Sequence, residues 1–426
     1  MCIRDRTPKH IEEFDHILMD GNTAAALGAV YAGATVAAWY PITPSTSVVD
    51  AFEKYCRRLR IDPGTGKKNY AIVQAEDELS AMGMVIGANW NGARAFTATS
   101  GPGVSLMSEF LGLAYFAEVP AVLVDVQRAG PSTGMPTRTQ QSDILAAAYA
   151  SHGDTKHVLF FPATPAECFS MTVEAFDLAE RLQTPIIIMS DLDLGMNEWM
   201  SPPLEFDDTY RYDRGKVLSG EDLEAMTERF GRYLDVDGDG IPYRTYPGAH
   251  PTKGAYFTRG SSRDEYAAYT EDGDVYVRNM DRLLKKFETA KSLVPEAKIK
   301  PAAEPTKDAL LFFGTTASPA YEALETLEKE GIHLDTLRLR SFPFTQEVED
   351  YIEAHDRIFV IEQNRDGQMR RLLLNETNVE ANAKLISVVE YDGLPVTARK
   401  IASVIRGAMG INNVTPLVPK EKELAS

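Results

Sequence analysis

The stretch RAFTATSGPGVSLMSEFLGLAYFAEVPAVLVDV (94–126) decides the fold class. Its two ends, RAFTAT (94–99) and AVLVDV (121–126), are short runs rich in apolar and β-branched residues, and we predict a strand at each. Residues 103–117 between them predict a helix. Near-continuous apolar strands are typical of parallel sheets covered on both faces, so the stretch predicts one βαβ unit.

The same alternation extends outward in both directions and predicts a doubly wound parallel sheet over residues 17–200. Further strands are predicted at VAAWY (36–40), AIVQA (71–75), HVLFF (157–161) and PIIIMS (185–190), and further helices at 46–60, 78–90 and 165–182.

A second α/β domain with a parallel sheet is predicted over residues 306–415. Its strands are expected at 310–314, 334–340, 357–363 and 384–391, and its helices at 318–330, 345–354, 367–377 and 397–409. Residues 201–305, rich in Asp, Tyr, Gly and Arg, predict an irregular insertion that ends in a linker. We expect 1–16 to be a tail or cloning scar and 416–426 to be a tail.

Composition excludes several classes of protein. The chain has 426 residues and a formal net charge of −18, which disfavours nucleic-acid binding because phosphate contacts need clustered Lys and Arg. No apolar run approaches the ~18 to 20 residues that span a bilayer, and the opening MCIRDRTPKH resembles no secretory signal. Cys2, Cys56 and Cys168 are far apart, so neither a disulfide framework nor a cluster held by this chain is expected. We expect a reducing cytoplasm.

Polar clusters follow four consecutive predicted strands of the first domain. They are 41–44, 76–78, 99–103 and 127–128. In an open parallel sheet ligands bind at the carboxyl ends of the strands, so these clusters predict a site at that edge.

Glu78 is the candidate acid of this site. It begins a helix with a close-packing surface of small and apolar residues, where burial would favour the protonated, hydrogen-bond-donating form of the carboxyl. Such a group suits polarising or protonating a ring nitrogen. The helix dipole alone explains an acidic residue at a helix start equally well, and this is our interpretation of Glu76 and Asp77.

Arg128 is the candidate anion-binding residue, because a fixed guanidinium at a crevice edge is the usual bidentate partner of a carboxylate. A surface arginine that ends a strand is the alternative interpretation. Thr137 and Arg138, in the Gly/Pro-rich loop that follows, would complete an anion pocket. Thr43 has a competing structural role, since Thr43-Pro44 predicts a helix N-cap with proline at the first helical position.

Several known cofactor and metal motifs are not matched by this sequence. GDG at 238–240 lacks the asparagine that a thiamine diphosphate–magnesium motif places about 25 to 30 residues later, since the next asparagine is Asn279. The loop from Asp235 begins like a calcium-binding EF-hand but has Tyr246 where glutamate is required. SGPG is not followed by the Gly-Lys-Ser/Thr of a phosphate-binding loop, and no HExxH zinc motif occurs. We expect no metal held by this chain.

Motifs of the first domain resemble the alpha subunits of 2-oxoacid:ferredoxin oxidoreductases. They are YPITPST (40–46), QAEDELSAMGMVIGA (74–88), ATSGPGVSLMSE (98–109) and RAGPSTGMPTRTQQSD (128–143). DGDGIPYRTYPG (237–248), TRG (258–260) and IEQNRDGQMRRLL (361–373) are most similar to the 2-oxoglutarate branch, the 2-oxoglutarate synthases.

This resemblance implies a fold and an activity. The first domain would be the pyrimidine-binding domain for thiamine diphosphate, and the second a transketolase C-terminal-like domain. The family oxidatively decarboxylates a 2-oxoacid with coenzyme A, which yields an acyl-CoA, carbon dioxide and reduced ferredoxin.

The resemblance also implies roles for individual residues. Glu78 would hydrogen-bond the aminopyrimidine ring, and Pro41 and Ile42 would pack beside the cofactor. Thr43 and Arg128 would bind the carboxylate and carbonyl of the 2-oxoacid. At the far end of a longer substrate, the resemblance implies contacts from Thr137 and, with weaker support, Arg138.

The resemblance further implies partners. The magnesium motif for the diphosphate and the iron–sulfur cluster would belong to a beta subunit, a gamma domain or subunit would help to handle coenzyme A, and ferredoxin would accept the electrons. We expect a dimer of heteromers in the cytoplasm, and no turnover by this chain alone.

Three alternatives remain at this stage. In the first, the reaction class is the same but the substrate is pyruvate or a branched or aromatic 2-oxoacid. In the second, the chain belongs to another thiamine enzyme, such as a 2-oxoacid dehydrogenase. In the third, it is a non-catalytic scaffold subunit. The pairing of YPITP with TSGPG counts against the second of these.

Overall fold

The computed structural model describes residues 16–377 and 380–411. The tails expected over 1–16 and 416–426 lie outside these residues, apart from position 16. Within the described ranges no helix is both long enough and apolar enough to cross a bilayer. The predicted α/β class is confirmed, with two sheets that are mainly parallel.

Strands and helices alternate through most of the chain. The strands are β1 Ile17–Met19, β2 Val36–Trp39, β3 Ala71–Gln74, β4 Ala95–Thr99, β5 Ala121–Gln127, β6 Val158–Phe160, β7 Pro185–Asp191, β8 Trp199–Ser201, β9 Lys298–Lys300, β10 Asp308–Phe313, β11 Asp335–Leu339, β12 Ser341–Phe342, β13 Arg357–Glu362 and β14 Leu385–Val389. The helices are α1 Gly21–Tyr31, α2 Thr46–Leu59, α3 Glu78–Trp90, α4 Gly101–Ala117, α5 Ile144–Ala148, α6 Pro165–Leu182, α7 Leu192–Met196, α8 Gly220–Ala225, α9 Gly273–Ala290, α10 Ala317–Glu328, α11 Gln346–Ala354, α12 Gln368–Glu376 and α13 Ala398–Ala408.

The first sheet has 7 strands in the order β12-β6-β7-β5-β4-β2-β3. All neighbours from β6 to β3 are parallel, and every residue of the inner strands β4, β5 and β7 is buried. Helices α1, α2 and α6 pack together, as do α3, α4 and α5. Right-handed crossovers place these two groups on opposite faces of the sheet, which is the doubly wound arrangement.

The second sheet has the order β14-β13-β10-β11-β9, in which only the edge strand β9 is antiparallel. β12 follows β11 in the chain but pairs with β6 of the first sheet. The two sheets are therefore linked by a strand that crosses between them, and both sheets are mixed at an edge rather than purely parallel.

The helix cap predicted at Thr43 is wrong. α2 begins at Thr46, Ser45 occupies its N-cap position, and the Thr43–Pro44 peptide bond is cis. The physical reason is that this turn makes tertiary contacts, because the carbonyl of Pro44 accepts a hydrogen bond of 2.8 Å from Asn22 Nδ2.

The segment predicted to be irregular contains α9, a helix of 18 residues. Its buried face includes Leu283 and Phe287 but also Arg282 and Lys286. Because two charged residues interrupt the apolar stripe, the helical periodicity is weak in the sequence. α9 packs its charged positions against Glu118, at the C-cap of α4, and so fixes the insertion to the first domain.

Candidate functional site

A cleft of about 760 Å³ lies where the carboxyl ends of the two sheets meet. The first domain contributes the first turns of α4, Arg128 with the loop that follows it, and Gln140, Ser142 and Asp143. The second domain contributes residues between Asn364 and Gln368, together with Tyr391. The cleft is thus at the predicted sheet edge, where the clusters at 99–103 and 127–128 contribute to its lining, whereas the clusters at 41–44 and 76–78 do not.

Arg128 is the first residue after β5 and lines this cleft. It is buried, and its Nη1 donates a hydrogen bond of 2.7 Å to the carbonyl oxygen of Thr43. The structure therefore brings together two residues that are 85 positions apart in the sequence. Burial lowers the pKa of the Arg128 guanidinium, and the nearby carboxylates of Asp143 and Glu78 oppose that shift. The alternative of a surface arginine is excluded by this burial.

Glu78 is the first residue of α3 and is only 7% exposed. The N-cap of the helix is instead Asp77, whose Oδ1 accepts a hydrogen bond of 2.6 Å from the Ser80 amide. Glu78 lies against Gly103 of α4, since a Cβ atom there would come within 2.9 Å of Glu78 Cγ. The capping function thus belongs to Asp77, and the Glu78 carboxyl is left for another role.

The remaining predicted residues lie around this centre. Pro41 is exposed and Ile42 half-buried in the same turn as Thr43. Thr137 and Arg138 are exposed, and neither is among the residues that line the cleft. Arg138 donates to the carbonyl of Thr137 over 3.0 Å.

Two neighbouring carboxyls near Arg128, the buried Asp125 and the half-buried Asp143, were missed. Asp125, within β5, is fully buried, and neither of its carboxyl oxygens has a hydrogen-bond partner among the described residues. Burial and the neighbouring Asp143 raise the pKa of Asp125, and burial likewise raises that of Asp143. The sequence feature that could have revealed Asp125 is the presence of an acidic residue inside the otherwise apolar run AVLVDV.

A hydrogen-bond network joins the two domains beside the cleft. The Gln141 amide donates to the Gln363 carbonyl (2.8 Å), Asn364 Nδ2 to the Gln141 carbonyl (2.9 Å) and Gln368 Nε2 to the Ser142 carbonyl (2.6 Å). These contacts were also missed, although the polar run QNRDGQ after strand β13 fits the rule that identified the first-domain clusters.

The acidic loop at 235–240 is neutralised within the protein. Lys216 Nζ lies 2.7 Å from Asp237 and 2.8 Å from Asp239, and Asp235 accepts hydrogen bonds from backbone amides of the same loop. Among the residues that the structure describes, no three His, Cys, Asp or Glu side chains are grouped to hold a metal ion.

The chain is similar to known proteins over most of its length. Residues 27–223 match the family model described as pyruvate flavodoxin/ferredoxin oxidoreductase, thiamine diP-binding. The 2-oxoacid:ferredoxin oxidoreductase 2 subunit alpha of Aeropyrum pernix is 34% identical over 395 residues, which are 91% of this chain and 60% of the relative. The 2-oxoglutarate synthase subunit KorA of Methanothermobacter thermautotrophicus is 33% identical over 367 residues, 83% of this chain and 89% of the relative.

A solved structure is also similar, namely the 2-oxoglutarate:ferredoxin oxidoreductase of Magnetococcus marinus with 2-oxoglutarate, coenzyme A and succinyl-CoA bound. It aligns with a TM-score of 0.85 and 28% identity, over 94% of this chain and 67% of that chain. The chain spans about 60% of the length of several curated relatives that it matches. Its likeness to the Methanothermobacter subunit covers most of both chains. The chain therefore belongs to the family of 2-oxoacid:ferredoxin oxidoreductase alpha subunits.

Proposed function

We propose that this chain supplies the pyrimidine-binding half of a thiamine diphosphate site in a 2-oxoglutarate:ferredoxin oxidoreductase. The reaction is oxidative decarboxylation of 2-oxoglutarate with coenzyme A, giving succinyl-CoA and carbon dioxide while two electrons pass to ferredoxin. The observation that carries the proposal is the buried Glu78 carboxyl beside the Arg128–Thr43 contact. The names of the Methanothermobacter and Magnetococcus relatives support the choice of substrate.

The residues around Glu78 fit the aminopyrimidine ring of the cofactor. The absence of a side chain at Gly103 lets the backbone of α4 pack closely against Glu78, and the capping bond of the helix start is made by Asp77 instead. Glu78 would hold a proton at the ring nitrogen, with Pro41 and Ile42 packing beside the ring. Thiamine diphosphate, when bound, supplies the nucleophilic carbon and electron sink that decarboxylation of a 2-oxoacid requires.

Arg128 would bind the carboxylate next to the 2-oxo group. Its Nε has no hydrogen-bond partner among the described residues, so the protein itself does not satisfy every donor of the guanidinium. Its Nη1 donates to the backbone carbonyl of Thr43, which restrains the guanidinium, and the Thr43 side chain would contact the same substrate group. Thr137 and Arg138 would contact the far end of the substrate from the adjoining loop.

A beta subunit would complete the site. β3 is an edge strand with Val73 exposed, and Met84 and Leu106 are exposed large apolar side chains on the helices next to Glu78. A partner that covered them would exclude water from the carboxyl. Cys56 and Cys168 are buried, and burial raises the pKa of Cys56 to about 11, so neither thiol suits a cluster that needs exposed thiolates.

We therefore assign the magnesium and the iron–sulfur cluster to this partner. A gamma domain or subunit would act with coenzyme A, ferredoxin would be the acceptor, and a dimer of heteromers would be the assembly. These assignments rest on the family relationship.

The test is turnover by this chain co-purified with its thiamine-binding beta subunit. Anaerobic viologen reduction is measured with coenzyme A and, in turn, 2-oxoglutarate, pyruvate, and branched and aromatic 2-oxoacids. We expect the highest kcat/KM with 2-oxoglutarate. A preference for pyruvate, which the description of the family model names, would move the substrate to that branch. A stable complex without turnover on any 2-oxoacid would instead support the scaffold alternative.

A further inference from the structure

The second domain presents one cationic side chain to the cleft. Arg365 follows β13 at the carboxyl end of the second sheet and lines the same cleft as Arg128. Because the carboxyl ends of the two sheets meet here, the cleft carries a guanidinium from each domain. A ligand with two anionic ends would fit such a pair.

The backbone around Arg365 is fixed to the first domain. The preceding Asn364 is fully buried and donates to the Gln141 carbonyl, and Gln368 donates to the Ser142 carbonyl. The Asn364 Oδ1 also accepts a hydrogen bond of 3.1 Å from the Gln368 amide, which closes the loop on itself. The guanidinium is thus carried on a rigid base whose position is set relative to Arg128 and Asp143.

The side chain of Arg365 is available to a ligand. It is 72% exposed, and among the described residues its ion-pair partner is the adjacent Asp366, with Nε to Oδ1 at 2.7 Å and Nη2 to Oδ2 at 3.1 Å. Exposed ion pairs contribute little stability, so a carboxylate that enters the cleft can displace Asp366 at low cost. Tyr391, also exposed, lines the same part of the cleft.

Arg128, by contrast, is the residue proposed for the carboxylate next to the 2-oxo group. It is buried, bonded to Thr43, and shares its charge with Asp143 and Glu78. At the far end of the substrate, Thr137 carries no charge and Arg138 is not among the lining residues, so Arg365 would add a cation that lines the cleft itself.

We infer that Arg365 binds the distal carboxylate of a 2-oxo dicarboxylic acid and thereby selects it over monocarboxylic 2-oxoacids. This inference rests on the proposed function. A phosphate of coenzyme A presents the same chemistry to a guanidinium, and the experiment separates the two anions.

The test compares Arg365→Gln with the unsubstituted chain, each in complex with the beta subunit. Loss of a charged hydrogen bond predicts a KM for 2-oxoglutarate raised by about 10- to 100-fold. The KM values for 2-oxobutyrate and for coenzyme A should change by less than about twofold, and Arg365→Lys should recover part of the loss. Arg399→Gln, on the exposed face of α13 and away from the cleft, is the matched control.

Binding of glutarate, an unreactive dicarboxylate, to the same complexes is measured by titration calorimetry and should weaken about tenfold in Arg365→Gln. An unchanged KM and unchanged glutarate affinity would overturn the inference. A rise in the KM for coenzyme A alone would reassign Arg365 to a phosphate, and equal losses for 2-oxoglutarate and 2-oxobutyrate would contradict selectivity. If the unsubstituted complex binds glutarate through Arg365 but turns over no 2-oxoacid, the proposed function fails and the binding assignment stands.

Discussion

Two groups of buried carboxyls in the first domain have opposite surroundings. Glu118, at the C-cap of α4, is fully buried and accepts hydrogen bonds from Arg282 and Lys286 of α9, with 3.0 Å between Lys286 Nζ and Oε2. Asp125, also fully buried, has no hydrogen-bond partner on either oxygen among the described residues, and its neighbour Asp143 is itself acidic. The first carboxyl fixes the insertion to the domain, and the second lies behind the cleft.

The difference teaches how to separate stabilising charges from functional ones. The cations around Glu118 lower its pKa despite burial, so the carboxylate stays charged. The buried carboxylate and the buried cations therefore compensate each other's charge. Burial raises the pKa of Asp125 and of Asp143 because the charged form loses its hydration, and the neighbouring Asp143 raises the pKa of Asp125 further. Two neighbouring acidic side chains without a paired cation lower the stability of the fold. Because Asp143 lies near Arg128, we connect this loss of stability with the candidate site.

The largest predicted effect is on the paired carboxyl. Glu118→Gln leaves Arg282 and Lys286 buried without a counter-charge, and we expect the free energy of unfolding to fall by about 3 to 5 kcal/mol. Urea denaturation of the chain measures this. Glu53→Gln, which breaks the exposed pair with Arg57, is the control and should cost no more than about 0.5 kcal/mol. Equal losses in the two variants would remove the distinction.

A smaller effect is expected at the unpaired carboxyl. Asp125→Asn retains the shape of a protonated carboxyl and removes no hydrogen bond or ion pair, so the free energy of unfolding at pH 7 should fall by no more than about 1 kcal/mol. Urea denaturation of the variant and of the parent chain measures this difference. A loss of the size expected for Glu118→Gln would mean that Asp125 is a charged and paired group after all.

The pH dependence of these two variants sharpens the comparison. The pKa of Asp125 is raised in the folded state, so its stabilising contribution is present below its unfolded pKa and is lost as pH rises through the folded pKa. Relative to the parent chain, the free energy of unfolding of Asp125→Asn should therefore rise as pH increases above the unfolded pKa of an aspartate, by at most about 1.4 kcal/mol per pH unit.

The pKa of Glu118 is lowered, so its contribution is fully present above its unfolded pKa and is lost only in acid. The deficit of Glu118→Gln should therefore stay constant over the same range. Denaturation midpoints at several pH values test both expectations, and a constant difference for Asp125→Asn would argue against the raised pKa.

Sequence predicted most of the fold because parallel strands are covered on both faces and read as apolar runs. The runs at 121–126 and 185–190, for example, correspond to β5 and β7 within one residue at each end. β12 was missed because its two residues pair with a distant strand, which no local pattern records. α9 was missed because Arg282 and Lys286 occupy its buried face, where the requirement for charge comes from Glu118, more than 160 residues earlier.

The candidate site was predicted in part, for the same physical reason. Arg128 and Thr43 follow strands β5 and β2 of one sheet, so the topology alone brings them to a common edge. Arg365 could not be placed beside them, since that requires knowing how the second domain docks through Gln141. Asp125 was hidden within a strand that otherwise reads as core.

The central claim is that Glu78 serves catalysis rather than the fold, and one substitution tests it directly. Glu78→Gln is co-purified with the beta subunit, and anaerobic viologen reduction is followed with 2-oxoglutarate and coenzyme A. Loss of a group that holds a proton in the transition state predicts a kcat lower by about 100-fold or more, with the complex and its thermal unfolding midpoint unchanged. A near-normal rate from an intact complex would contradict the account.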